Sequence, residues 1–271
     1  QSGIANGWKK WIGQNRGLRR LNTVEMKRDL ESQFIQWVAT GDADRQAQYA
    51  TVLERYKKTY AELRPLEETS QWLYESIWTV GALQRTWRVT QAMNPANDTL
   101  GASVVREAFG AYYAETDPRV ERALMAAMLK AFLTSGELYR PAAVRQRVAT
   151  EYNGSYEAYT AAIWARSALT DTTRMAALLR KSPKAIRKAL EKDPLIQLAR
   201  ELFTPYATGP GEQANALRAT IADLERTWVK GIREMINGRQ NLFPDANFTL
   251  RLTYGRVEPY VPYDGARYHW L

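Results

Sequence analysis

The 271-residue chain holds a single histidine, His269, in its closing run Tyr268-His269-Trp270-Leu271. A Ser-His-Asp triad needs a histidine base held by a positioned partner, and a chain end frays. No complete nucleophilic site is therefore expected, and no residue is put forward as catalytic. With one histidine and no cysteine, multi-histidine and thiolate metal sites, disulfides and thiolate catalysis fall away. No Gly-rich phosphate loop, nucleophile elbow or zinc-protease helix motif is found, so neither a metal nor a cofactor is expected. The acidic pairs Glu67-Glu68 and Asp42/Asp44 read as dipole-stabilising helix caps rather than as an acid/base pair. Trp8, Trp11, Trp72, Trp78, Trp87 and Trp164 read as core residues, the alternative being a stacking platform.

Composition narrows the class. Hydrophobic residues make up 45% and charged residues 25%, an ordinary globular balance. No apolar run reaches membrane-spanning length, so no membrane partner is expected. The formal charge of +9 raises a nucleic-acid surface as one reading. The basic residues are mixed with acids, as in Arg55-Tyr56-Lys57-Lys58 beside Glu54 and Glu62, which disfavours nucleic acid as a partner. The chain opens Gln1-Ser2-Gly3 without a methionine or a signal-peptide pattern, and is read as a processed or excised piece.

The elements that must position any site are helices. Apolar residues recur at helical spacing for most of the length, so the fold class is mainly α, a multi-helix domain with a short β or extended segment at its end. Asn22 with Glu25 suggests a capping box, and Tyr49 to Leu63 a helix ending near Pro65. A third helix, from Leu73 to Trp87, stops before Asn94-Pro95. Asp117-Pro118, Pro141, Ser182-Pro183 and Asp193-Pro194 mark further helix starts. Thr204 to Gly211 is expected to be a loop. A regular stripe follows, from Leu217 to Met235, with Gly238 as a left-handed cap. The period then switches to two over Phe248, Leu250, Leu252 and Tyr254, the pattern of a strand. A lone strand cannot satisfy its own ladder, so its partners are expected elsewhere. The expected division is a helical domain over 1–242 and a strand with an extended tail over 243–271.

Two segments carry more than packing. Residues 4–13, Ile-Ala-Asn-Gly-Trp-Lys-Lys-Trp-Ile-Gly, set Asn6 ahead of an aromatic and basic stretch, and Pro244-Asp245-Ala246-Asn247 leads directly into Phe248 to Val257. At these runs the chain resembles the bacterial exopeptidases of the dipeptidyl-peptidase seven and eleven group, of dipeptidyl aminopeptidase BII type. The resemblance implies a chymotrypsin-like serine peptidase with a helical domain inserted into a double β-barrel. Such enzymes release dipeptides from free N-termini of oligopeptides in the periplasm or outside the cell. Residues 1–242 would be the helical cap over the cleft, and 243–271 would belong to an absent barrel. The triad would lie outside this chain, leaving the chain alone inactive. The implied partners are an oligopeptide with a free N-terminus, the remaining catalytic domain and, for the whole enzyme, a second copy in a homodimer. Asn6 is the one substrate-binding residue the resemblance carries over: its amide oxygen would accept from the substrate α-ammonium. Asn6 as a plain helix cap stays open beside it. The alternative to the peptidase is a non-enzymatic helical binder of nucleic acid or another anionic partner.

Overall fold

A computed structural model describes residues 2–93, 102–134, 139, 141–237 and 252–269, with side chains from residue 5 onward. The chain is mainly α, as its periodicity predicts. Helix α1 spans Ser2–Arg20, α2 Thr23–Ala39, α3 Ala43–Tyr49 and α4 Val52–Leu73. A π-helical turn, Tyr74–Trp78, leads to α5, Gly81–Ala92. Then come α6 Ala102–Phe109, α7 Tyr112–Glu115, α8 Pro118–Thr134, α9 Ala142–Glu151 and α10 Tyr156–Arg166. Helices α11 Thr172–Leu179, α12 Pro183–Glu191, α13 Pro194–Ala207 and α14 Pro210–Ile236 complete the helical part. A hairpin of β1 Tyr260–Tyr263 and β2 Ala266–Tyr268 follows, pairing Tyr260 with Tyr268 and Tyr263 with Ala266.

The two longest buried helices, α4 and α14, form the most extensive packed pair. They run antiparallel: Glu67, late in α4, pairs with Arg218, early in α14, while Leu53 joins Trp228 and Ile232 at the other end. At 1.5 Å per residue α14 is about 40 Å long, enough to link two cores. The larger core gathers the apolar faces from the end of α4 through α13, with Ile77, Leu83, Phe109, Met125, Leu129 and Leu195 almost wholly enclosed. The smaller one closes Phe34, Val38 and Tyr49 against Trp37, Leu53, Trp228, Ile232 and Met235. Its rings are tightly set, with Phe34 and Trp228 centroids 4.5 Å apart and the Arg45 guanidinium 4.4 Å from the Trp37 centroid.

Gly231 makes that closeness possible. A Cβ there would stand 2.7 Å from Phe34 Cε2 and 3.0 Å from Tyr49 Cε1. Alanine favours a helix interior over glycine by roughly 1 kcal/mol, whereas overpacking a core costs about 1–3 kcal/mol. We expect Gly231→Ala to be destabilising on balance by about 1 kcal/mol, and Gly231→Leu by more, in thermal melts. A melting temperature that rises for Gly231→Ala would mean that the Phe34 ring yields freely.

Several local expectations need correction. Helix α4 continues through Pro65 to Leu73, and α13 through Pro205 to Ala207. Both prolines forfeit a backbone bond, but buried side chains on either side, Leu63 and Leu73 in one helix, Leu202 and Phe203 in the other, keep the axis in the core. The expected loop from Thr204 to Gly211 shrinks to Thr208 and Gly209. Asn22 precedes α2 in a left-handed conformation, φ 50°, without a side-chain cap bond, so no capping box forms there. Asn237, φ 41°, takes the left-handed position closing α14, and Gly238 lies outside the described residues. The Asp117, Asp193 and Ser182 starts hold, as does Asp42, whose carboxylate accepts from Arg45 N at 2.8 Å. Glu67 and Glu68 cap nothing; they sit inside α4, paired with Arg218 and Arg64. Of the expected strand, Phe248 and Leu250 lie outside the described residues and Leu252 to Tyr254 carry no regular secondary structure, its ladder partners being expected outside this chain. The strands that do form lie further along and pair with each other.

Candidate functional site

Among the described residues no cluster of three or more His, Asp or Glu could hold a metal ion. His269 is exposed just beyond β2. The buried acids have structural work instead. Asp193 is 5% exposed and accepts from Ser167 Oγ at 2.8 Å, Ala168 N at 2.7 Å and Leu195 N at 2.9 Å. Burial pushes its carboxyl up, against the pull of those donors. Glu121, buried on α8, accepts from Ala82 N at 2.7 Å and so caps α5 from another helix. Burial, with this carboxylate beside it, pushes the Tyr112 phenol well above its ordinary range, and the Arg85 guanidinium lies 4.4 Å from the Tyr112 ring centroid. Arg147 and Glu201 form a two-pronged pair at 2.6 and 2.7 Å that ties α9 to α13, with Tyr159 Oη 3.3 Å from Arg147 Nη1. Sequence reasoning missed Glu121 and Arg147–Glu201, because partners 39 and 54 residues apart leave no local signal.

The surface that stands apart from this packing is α1. It rests mainly on α2. Its sequence carries Lys9, Lys10, Arg16, Arg19 and Arg20 and no acid. Trp8 and Trp11 are 70% and 65% exposed, so the core reading fails for them. It holds for Trp164, which is buried, and for Trp72, Trp78 and Trp87, which pack on the larger core. Asn6 is exposed, one turn inside α1, and its side chain makes no hydrogen bond among the described residues. An N-cap must precede the first helical residue, so Asn6 does not cap α1. Its amide is free to accept from a ligand. At 100° per residue, Lys9 and Lys10 flank Asn6 on its side of the helix, and Trp8, Trp11 and Leu18 lie on the opposite side.

Exposed apolar side chains continue from α1 into α2 with Leu21, Val24, Met26 and Ile35. A second apolar surface runs along the tail, where Leu252 is 83% and Tyr254 90% exposed and Val257, Val261 and Tyr263 stand in solvent. Many exposed apolar side chains on one element are what a surface covered by a packing partner presents. The chain therefore offers an exposed amide near cations on α1, and uncovered apolar side chains on α1–α2 and along the tail.

The profile of the Peptidase S46 family matches residues 1–271. An Asp/Glu-specific dipeptidyl-peptidase of Flavobacterium psychrophilum is 27% identical, covering 99% of this chain and 37% of its own length. Dipeptidyl-peptidase 7 of Porphyromonas gingivalis is 29% identical, covering 98% of this chain and 37% of its own. The crystal structure of Porphyromonas endodontalis DPP11 in complex with the dipeptide Arg-Glu superposes with a TM-score of 0.68 at 25% identity, over 97% of this chain and 38% of that one. The chain thus spans a little over a third of the length of the relatives it matches.

Proposed function

Because the chain belongs to the Peptidase S46 family, we propose that it is the helical part of a longer serine exopeptidase that releases dipeptides from the N-terminus of oligopeptides. The observation that carries this reading is the family match along the whole chain, to relatives named dipeptidyl-peptidases. In this reading the nucleophile and base reside in a chymotrypsin-like domain outside residues 1–271, and these residues form a lid over its cleft. Asn6 supplies one acceptor for the substrate α-ammonium, an uncharged oxygen that recognises the cation while leaving the peptide carbonyl to the catalytic groups. A lid that seats the free amine also sets how far the chain can enter, which makes the product a dipeptide. The uncovered apolar faces of α1–α2 and of the tail support a catalytic domain as the partner that packs on them. The whole enzyme works as a homodimer in the periplasm or outside the cell.

The test compares the intact protein with residues 1–271 alone on an oligopeptide whose N-terminus is free or acetylated. The intact protein should release dipeptides from the free peptide and spare the acetylated one, and the 271-residue chain should release none. Turnover by the chain alone that a serine-directed inhibitor abolishes would show that a complete site lies within it. Equal cleavage of the acetylated peptide would remove the amine from recognition, and Asn6 with it.

A further inference from the structure

Lysine and arginine are spread along the sequence, and one short stretch is dense in them. Between α11 and α13, Arg180, Lys181, Lys184, Lys188 and Lys192 are exposed and Arg187 is half-buried, with Glu191 the one acid of residues 180–192. Helical spacing explains the arrangement. Ile186 and Leu190 are buried in the larger core, which turns Lys184, Lys188 and Lys192 outward together. None of the five exposed cations forms an ion pair with a carboxylate among the described residues. Arg187 donates to Met93 O at 3.4 Å, which fastens the α12 side of the patch to the end of α5. The face is thus a cationic surface on a fixed support, in a chain whose formal charge is already +9.

We propose that this face is a peripheral docking surface for an anionic lipid bilayer. Its chemistry favours that partner over two others. Single-stranded nucleic acid is held by aromatic platforms as well as by cations, and residues 180–192 contain no aromatic side chain. A stable protein interface has an apolar centre with aromatic anchors, and the apolar side of α12 is spent on the core. A plane of anionic headgroups needs neither; it rewards flexible lysine point charges brought close together, and their effect fades within a Debye length. The rest of the positive charge steers the protein to the same surface from a distance. No described helix is long and apolar enough to cross a membrane. The expectation of no membrane partner rests on the lack of a spanning segment, and a peripheral contact requires none.

The experiment is co-sedimentation of the intact protein with vesicles of mixed phosphatidylglycerol and phosphatidylcholine, and with vesicles of phosphatidylcholine alone, at about 0.1 M and about 1 M salt. Binding to the anionic vesicles alone, lost at the higher salt, is expected. The double variant Lys184→Gln with Lys188→Gln should lower the partition coefficient roughly thirty-fold, about five-fold for each lysine removed. The control pair Lys57→Gln with Lys58→Gln, exposed on α4, should change it far less. Circular dichroism should show all variants folded. Three results would each overturn the proposal: no partition into anionic vesicles, an equal loss in the control pair, or tighter binding to a DNA or RNA strand than to the vesicles.

Discussion

Asp193→Ala should unfold the larger core at a markedly lower temperature. The side chain removed is an acceptor for three donors: the Ser167 hydroxyl and the backbone N–H groups of Ala168 and Leu195. Two of these lie at the start of a helical segment: Ala168 opens the short turn after α10, and Leu195 sits in the first turn of α13. Leu195, Ile196 and Leu198 beside the cap are wholly enclosed. Water therefore has poor access to replace the lost acceptor. A buried donor left without a partner costs about 1–3 kcal/mol, so the variant should lose roughly 3–4 kcal/mol. For a chain of this size that corresponds to a fall in melting temperature on the order of 10 °C. Asp193→Asn keeps an acceptor for Leu195 and Ser167 but turns an amide donor toward Ala168, so it should fall between. If the alanine variant melted within about 1 °C of the native chain, the network would be an accompaniment of the fold and not a support for it.

Asn6→Ala in the intact protein should lower kcat/KM for dipeptidyl substrates about ten- to a hundred-fold. The estimate follows from losing one hydrogen bond to a charged group, roughly 1.5–3 kcal/mol, at about 1.4 kcal/mol per decade. The position of Asn6 sharpens the test. A helix cap would cost about 1 kcal/mol of stability on truncation. Asn6 lies inside α1 and is exposed, so alanine should instead strengthen the helix by a few tenths of a kcal/mol. A lower efficiency with an unchanged or slightly higher melting temperature is the expected pair of results. Asn6→Asp retains an acceptor and adds a charge opposite to the ammonium, so it should recover part of the loss. Unaltered efficiency in the alanine variant would take Asn6 out of the site, whatever happens to the melt.

What could be read from the chain in advance divides along physical lines. Helix starts written as an acid or serine followed by proline are local chemistry, and those at Asp117, Ser182 and Asp193 stand in the structure. Helix ends inferred from Pro65 and Pro205 failed because burial on both sides outweighed one missing backbone bond. The alternation over Phe248 to Tyr254 falls largely outside the described residues, and the hairpin further along is set by the turn at Asp264-Gly265, with Gly265 at φ 83°. Trp8 and Trp11 fooled composition: a tryptophan needs a partner surface, and theirs is not within the packed part of this chain. Asn6 could be singled out only from the resemblance of its run to a family. Nothing in the identity of an exposed asparagine separates a ligand contact from ordinary helix surface. Glu121 and the Arg147–Glu201 pair were beyond reach, because only the folded helices bring them to their partners.

The antiparallel pairing of α4 with α14 also sets an order of events during synthesis. Helices α5 through α13 make their larger core among themselves and can consolidate as soon as they leave the ribosome, N-terminal portions first. Phe34, Val38 and Tyr49 have no such option. Their lid is Trp228, Ile232 and Met235, which are translated almost two hundred residues later. Until then α2, α3 and the first half of α4 wait with their aromatic faces uncovered, and the closure that finally buries them bridges nearly the whole chain. The last helix therefore acts as a latch: nascent chains halted before Trp228 should present those rings to chaperones, and chains released after Met235 should not.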